Sequence, residues 1–455
     1  MNKKFIFIGA GALVLLLIIV LVVTSCGGTK KPVTDPNAST LTVWGFDDPT
    51  NFDEIIANFQ ESNPGYKVTY IKKDPATYAA DSLNEIAAGK GPDVWAIPNT
   101  WLPKYQDKLV PMPTDLIANK KTQKNDVEIY KTLFPNAIAS DNIIDNNIYG
   151  MPLTIDTLVL YYNQSILQKT MNDFAAEHSD DDNAMIGQIF NQGPKTWDDF
   201  VTITKLITKK NGSNITQSAV ALGTSTNVNQ ATDILTLLMT QDGAKMTSDD
   251  LSTAQFHTKQ NVFGGQDFPG AQALNFYTAF SNPQTDLYTW NNSMEDSLHA
   301  FAEGKTAMMF DYASAKIDIK RINTGLEYDL FTMPQVKETK NPVNYASYMT
   351  YTVTKASKKS NLSWQFIASM ANSSQVNTYS TKTGEQSAQL TSLNDNSDIN
   401  ATQALTAKSW YVPEPVETVQ ILANAIQQVN DGKNPQTAIE YAGSQITSLL
   451  GKLKQ

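Results

Sequence analysis

Cysteine is almost absent from this chain: one residue, Cys26, in 455, so no disulfide can form within it. Histidine is nearly as scarce, and the three residues His178, His257 and His299 stand far apart with no cysteine beside them. That spacing excludes the usual zinc sites, and no metal or other cofactor is expected. Basic blocks are missing too: 35 Lys and Arg stand against 45 Asp and Glu, a net charge of −10, which argues against nucleic acid as a partner. There is no G-x-S-x-G elbow, no H-E-x-x-H and no histidine beside a plausible nucleophile. No internal repeat is visible, and no feature demands an oligomer, so a monomer is expected.

What the chain does have is one long apolar run. After the basic start Met1-Asn2-Lys3-Lys4, residues Phe5 to Val23 are apolar or small, enough to partition into a bilayer as a helix and to direct the chain out of the cytoplasm. Length alone does not separate a cleaved signal from a retained anchor. The lone cysteine bears on that choice: Val23-Thr24-Ser25-Cys26 resembles a bacterial lipobox, in which the cysteine is lipidated and the chain cut just before it. The expectation is a signal peptide over 1–25 and a lipidated Cys26 heading a tether over 26–39. The tether, GGTKKPVTDPNAS, has no apolar period and a flexible-chain reach of roughly 20 Å. The folded part is therefore expected at the outer face of a bacterial cell membrane.

From Leu41 the pattern changes. LTVW reads as a strand, and Phe52, Ile55, Ile56 and Phe59 follow at helical spacing. Lys67 to Ile71 gives a second strand, a helix through Tyr78, Leu83 and Ile86 ends at Gly89, and Val94 to Ile97 gives a third strand. The grammar recurs: strands at Leu158–Asn163, Thr306–Phe310 and SYMTYTVTK, a capping-box start at Thr196, and helices through Met294, Leu298 and Phe301, through LSWQFIASMAN, and twice more at the C-terminal end. The stretch around Ser179 to Asp182 reads as a solvated loop. Such alternation specifies β-α-β units, hence an α/β class with mostly parallel sheets flanked by helices. The length calls for two globular units.

Seven stretches, LTVWGFDD, FQESNPGYKVTYI, GKGPDVWAIPNTWLPKYQDKLVPMP, IYGMPLTIDTLVLYYNQSIL, PKTWDDFV, AFAEGKTAMMFDYAS and NYASYMTYTVTK, in this order and at these intervals, resemble the family 1 extracellular solute-binding proteins of ABC importers, the maltose-binding type included. The resemblance implies a two-lobed, periplasmic-binding-protein-like fold with several crossings between lobes. The lobes would comprise 40–154 with 345–395, and 155–344 with 396–455. It also implies a sugar or oligosaccharide held in the cleft, closure by hinge bending, and delivery to the permease subunits of an ABC transporter. Such a protein is a binder, not an enzyme.

A sugar site wants carboxylates and amides for paired hydrogen bonds and aromatic rings to stack on. Candidates at strand ends are Trp44, Asp47 and Asp48 after the first strand, one of the two aspartates being a helix cap instead. Asn99, Thr100 and Trp101 follow the third strand, whereas Trp95 inside it reads as core. Asp156 falls where the family has an acidic contact beside the first crossing, and a carboxylate leading into an apolar strand is costly to bury unpaired. Asn227 lies in a polar loop before a helix. Trp290 and Asn291 precede a helix that Ser293 could cap, Asp311 and Tyr312 end a strand, Tyr345 lies near the second crossing, and Trp410 sits before the penultimate helix.

Two alternatives stay open at this level. The same fold could take a polyamine, a phosphate ester or a peptide; aromatics with carboxylates suit a cation as well as a sugar. A secreted glycan hydrolase is the rival from another class, with Asp47-Asp48 or Asp198-Asp199 as its acids. Neighbours in sequence point apart, however, and the second pair starts a helix.

Overall fold

The computed structural model describes residues 39–452 apart from 120, 263–264 and 395–397. The N-terminal apolar run, Cys26 and nearly all of the tether lie outside the described residues. Among those described, no helix is long and apolar enough to cross a membrane.

Two sheets organise the chain. The first runs in the order Tyr66–Lys72, Ser39–Gly45, Val94–Pro98, Met349–Val353, Met151–Pro152. Its first three strands are parallel and the other two pair antiparallel. The second runs Ala407–Lys408, Asn344–Ser347, Asp156–Asn163, Thr306–Tyr312, Asn214–Ala221, Lys209–Asn211, with Tyr328–Phe331 also paired to Asp156–Asn163. It is strongly mixed, not mostly parallel as expected. The strand Asp156–Asn163, which brings the chain in from the first sheet, runs antiparallel to Thr306–Tyr312, Tyr328–Phe331 and Asn344–Ser347. A strand entering from outside the sheet is not bound by the direction that β-α-β crossovers impose.

Each sheet is coated by helices over its own core. Leu41, Val43, Ile55, Phe59 and Trp364 pack on the first; Leu158, Phe200, Ile203, Leu235, Phe310 and Ile446 pack on the second. The chain passes between the sheets at 153–155, returns at Tyr348, and passes back before Ala407–Lys408.

The local signals mostly act as read. Asp48 accepts from Thr50 N and caps the turn Pro49–Phe52, which leads into the helix Asp53–Ser62. Thr196 and Asp199 form a reciprocal capping box on Trp197–Ile207. Two readings are corrected. Ser179 does not lie in a solvated loop but caps a helix, Asp180–Gln192, its hydroxyl accepting from Asp182 N; the acid-rich run hid a start signal. And Ser293 caps nothing: Asp296 accepts from Leu298 N and His299 N and starts the helix at Ser297, leaving Met294 before it.

Candidate functional site

A cavity of about 650 Å³ lies between the two sheets, against both the 153–156 and 347–349 crossings. Asp47 reaches it from the carboxyl end of Ser39–Gly45, its Oδ2 accepting from Tyr351 OH at 3.4 Å. Burial pushes the Asp47 carboxyl up, and the Tyr379 and Tyr351 hydroxyls hold it back in part. Asp156, the first residue of its strand, accepts from the backbone N–H groups of Thr157 (2.9 Å), Ala313 (3.0 Å) and Ser314 (3.1 Å). Burial raises its proton affinity and those N–H bonds counter it. The carboxylate thus ties the crossing strand to the turn Ala313–Ala315, and two N–H groups of that turn are fixed by it.

Glu385 enters from a third direction. The helix Ser373–Thr383 ends on Gly384, whose φ of 73° is the left-handed conformation that glycine adopts without strain. The next residue, Glu385, lines the cavity and accepts from Thr154 Oγ1 at 2.7 Å. Burial pushes it up, and the like charges of Asp47 and Asp156 add to the rise. Asp329 and Asp398 also line the cavity, Lys316 is its only basic residue among the described residues, and Tyr348, Tyr351 and Tyr379 supply rings.

Two further cavities adjoin. One of about 120 Å³ shares Pro98 and Ser347 with the first and is lined by Asn99, Thr100, Asp233, Tyr312, Tyr345 and Trp410. Tyr312 OH donates to Asp233 Oδ2 at 2.7 Å. The other, of about 550 Å³, shares Asn99, Thr100 and Trp410 with the second and adds Lys104, Gln106, Asp141 and Tyr411. Asp141 accepts from Asn99 Nδ2 at 3.0 Å and from Tyr348 OH at 2.6 Å, so the polar groups of the first sheet's loops are tied to the second crossing.

Of the fourteen residues singled out in sequence, these cavities bring together Asp47, Asn99, Thr100, Asp156, Tyr312, Tyr345 and Trp410. The other seven do not line them. Trp44 is buried, with the Lys73 ammonium 3.6 Å from its ring centre. Asp48 is the exposed cap described above. Trp101 packs on Tyr78 and Tyr105. Trp290 is 1% exposed and donates from Nε1 to Asn227 Oδ1, while Asn227 Nδ2 donates to the carbonyls of Asn291 and Met294. Asn291 in turn donates to Tyr288 OH and accepts from Ser293. That knot holds a loop together: amides at a loop base find backbone partners before they find solutes. Asp311 sits just behind the cavities, 3% exposed, accepting from Gln230 Nε2. Sequence reasoning missed Glu385, Tyr379, Tyr351, Ser314 and Asp233. The glycine stop before Glu385 was a usable signal, and Ser314 lies just past the end of Thr306–Tyr312, where the strand-end rule could have reached it; Tyr351, Tyr379 and Asp233 follow no such rule.

The arrangement can hold hydroxyls between carboxylates and tyrosine rings. Residues 54–407 match the family model of bacterial extracellular solute-binding proteins. The galactooligosaccharide-binding protein of Bacillus subtilis (strain 168) is 23% identical over 423 residues, 89% of this chain and 88% of that one. Among solved structures, the sugar-binding protein MalE from Xanthomonas citri superposes with a TM-score of 0.71 at 19% identity, covering 91% of this chain and 98% of its own. A solute-binding protein from Thermotoga lettingae bound with alpha-D-tagatose gives 0.66 at 19% identity, covering 91% and 100%. At such identities the likeness is one of fold. With a family model matched over most of its length, this chain belongs to the bacterial extracellular solute-binding proteins.

Proposed function

We propose that this protein captures a sugar or oligosaccharide between two lobes outside the cell and hands it to the permease of an ABC importer. The observation that carries the reading is the cavity of about 650 Å³ whose wall combines carboxylates with tyrosine rings and is met by the 153–156 and 347–349 crossings. Solute touching both lobes favours the closed state by its differential contacts. The adjoining cavities give an elongated site, which suits more than one sugar unit. Named sugar binders among its relatives support the same class.

The lobes in this proposal comprise 40–154 with 345–395, and 155–344 with 396–455. Ile399–Ala404 stands at their junction, since Ala401 and Ala404 pack in the first core. Cys26 carries the lipid that holds the protein beside its permease, the protein acts as a monomer, and it turns over no substrate. A second reading, a cationic solute such as a polyamine, is favoured by one specific observation: five carboxylates and one lysine line the main cavity.

The test is a thermal-shift screen against galacto-oligosaccharides, maltodextrins, monosaccharides, spermidine, glycerol phosphate and short peptides. A melting temperature that rises and saturates with one sugar series supports the proposal. A response to spermidine alone transfers the site to cations, and a response to none of the sugars overturns the sugar assignment.

A further inference from the structure

Lys104 lies on the short helix Leu102–Tyr105, whose Leu102 and Tyr105 pack with Trp95 and Trp101 on the first sheet's side. Glu414 immediately precedes the helix Pro415–Asn430, whose Ile421, Leu422 and Ala425 are core of the second. Their side chains form an ion pair, and both are largely shielded, with 16% and 27% of the side-chain surface exposed. Such a pair is weakly screened by salt compared with one on an open surface.

Glu414 is also held in a conformation it does not favour. Its φ is 42°, left-handed for a non-glycine residue, and it stands between Pro413 and Pro415, where the residue before a proline prefers extended backbone. Thr418 fixes it there, its N–H bonding Glu414 O and its hydroxyl Pro413 O. Strain of this kind persists only where the surroundings enforce it, and here it aims a carboxylate at the opposite lobe. A second link runs alongside: Ser409, on the same returning segment, donates to Asp141 on the first lobe's helix Asn136–Asn142. Glu414 lines none of the three cavities.

We infer that Lys104 and Glu414, backed by Asp141 and Ser409, form a latch between the lobes that favours the closed arrangement before any solute arrives. Glu414 is a positioning residue: it sets the open–closed balance, and through it the apparent affinity, without lining a cavity, whereas Lys104, Asp141 and Ser409 also line the third cavity, so the latch is read in solute-free protein. The inference rests on the two-lobed binder proposed above, but not on the chemistry of its solute.

The test uses the full-length chain in detergent micelles, with a donor and acceptor dye on Lys67→Cys and Tyr441→Cys, exposed positions one on each side, and Cys26→Ser to avoid a third label. In solute-free protein, Glu414→Gln and Lys104→Gln should each shift the dye distances to longer values by the same amount. The double variant should add nothing, and the exchange Lys104→Glu with Glu414→Lys should recover part of the shift. Unchanged distances in both single variants would overturn the latch, as would shifts that sum in the double variant. If Glu414→Gln fails to fold, Lys104→Gln and the charge exchange decide. A latch that responds in a protein whose distances ignore every sugar would stand while the sugar assignment fell.

Discussion

Asp311 shows how burial and charge compete at a single residue. At 3% exposure its carboxyl is pushed up from 3.8 to about 6, chiefly by burial, while the Tyr312 N–H and the Gln230 amide counter part of the rise. An acid whose proton is held more tightly in the folded state lends stability that is complete below 3.8 and lost as the pH rises through about 6. Asp311→Asn cannot ionise and keeps an acceptor oxygen. Its unfolding free energy should exceed that of the wild type near pH ~7 by on the order of 3 kcal/mol, with the difference closing towards pH ~4. A gap that is constant with pH would assign the effect to packing. Trp290 gives the opposite lesson. A large aromatic ahead of a helix reads as a stacking surface, yet this one is core. Trp290→Ala should cost about 3–5 kcal/mol of stability by chemical denaturation. The surviving folded protein should bind its solute as before, which titration calorimetry would check.

Among the elements, the capped helices are where local sequence acts most directly. Thr196 and Asp199 satisfy the first N–H groups of Trp197–Ile207, whose Phe200, Ile203 and Ile207 are buried. Thr196→Ala should therefore cost about 1 kcal/mol in denaturant titration and leave solute affinity unchanged. A loss of affinity instead would mean that this helix moves with the cleft. The same capping chemistry explains the misread segment at Ser179, because a serine before acidic residues is a helix start as readily as a loop. Strand direction was beyond local reading: alternation and helical spacing locate a strand but say nothing about which neighbour it pairs with. Met349–Val353 pairs with Val94–Pro98, some 255 residues away, and this pairing is what makes the first sheet mixed.

For the whole molecule, the proposal of membrane attachment makes its own prediction. Cells fed a radiolabelled or clickable palmitate should incorporate it into this protein, and Cys26→Ala should abolish the incorporation. Labelling that persists in the variant would place any acyl chain elsewhere. The N-terminal apolar run and the solute-binding family resemblance were legible from residue types and their order. Likewise legible were Asp47, Asn99, Thr100 and Asp156, because in open α/β sheets the loops beyond strand ends meet at the cleft. Glu385, Tyr379 and Tyr351 were not, since they arrive on the chain's return to the first sheet, more than 300 residues after Asp47.

The sequence by itself determined what most segments do locally: where most strands and helices lie, which of their faces are apolar, and that a single cysteine allows no disulfide within the chain. Those properties depend on neighbours within a few residues. Only the tertiary structure decided which polar groups face one another across the cleft, which tryptophans are core, and that Lys104 meets Glu414 across 310 residues. Those outcomes depend on how two sheets and three crossings are placed in space, and contacts at such separation leave no periodic signature in the chain.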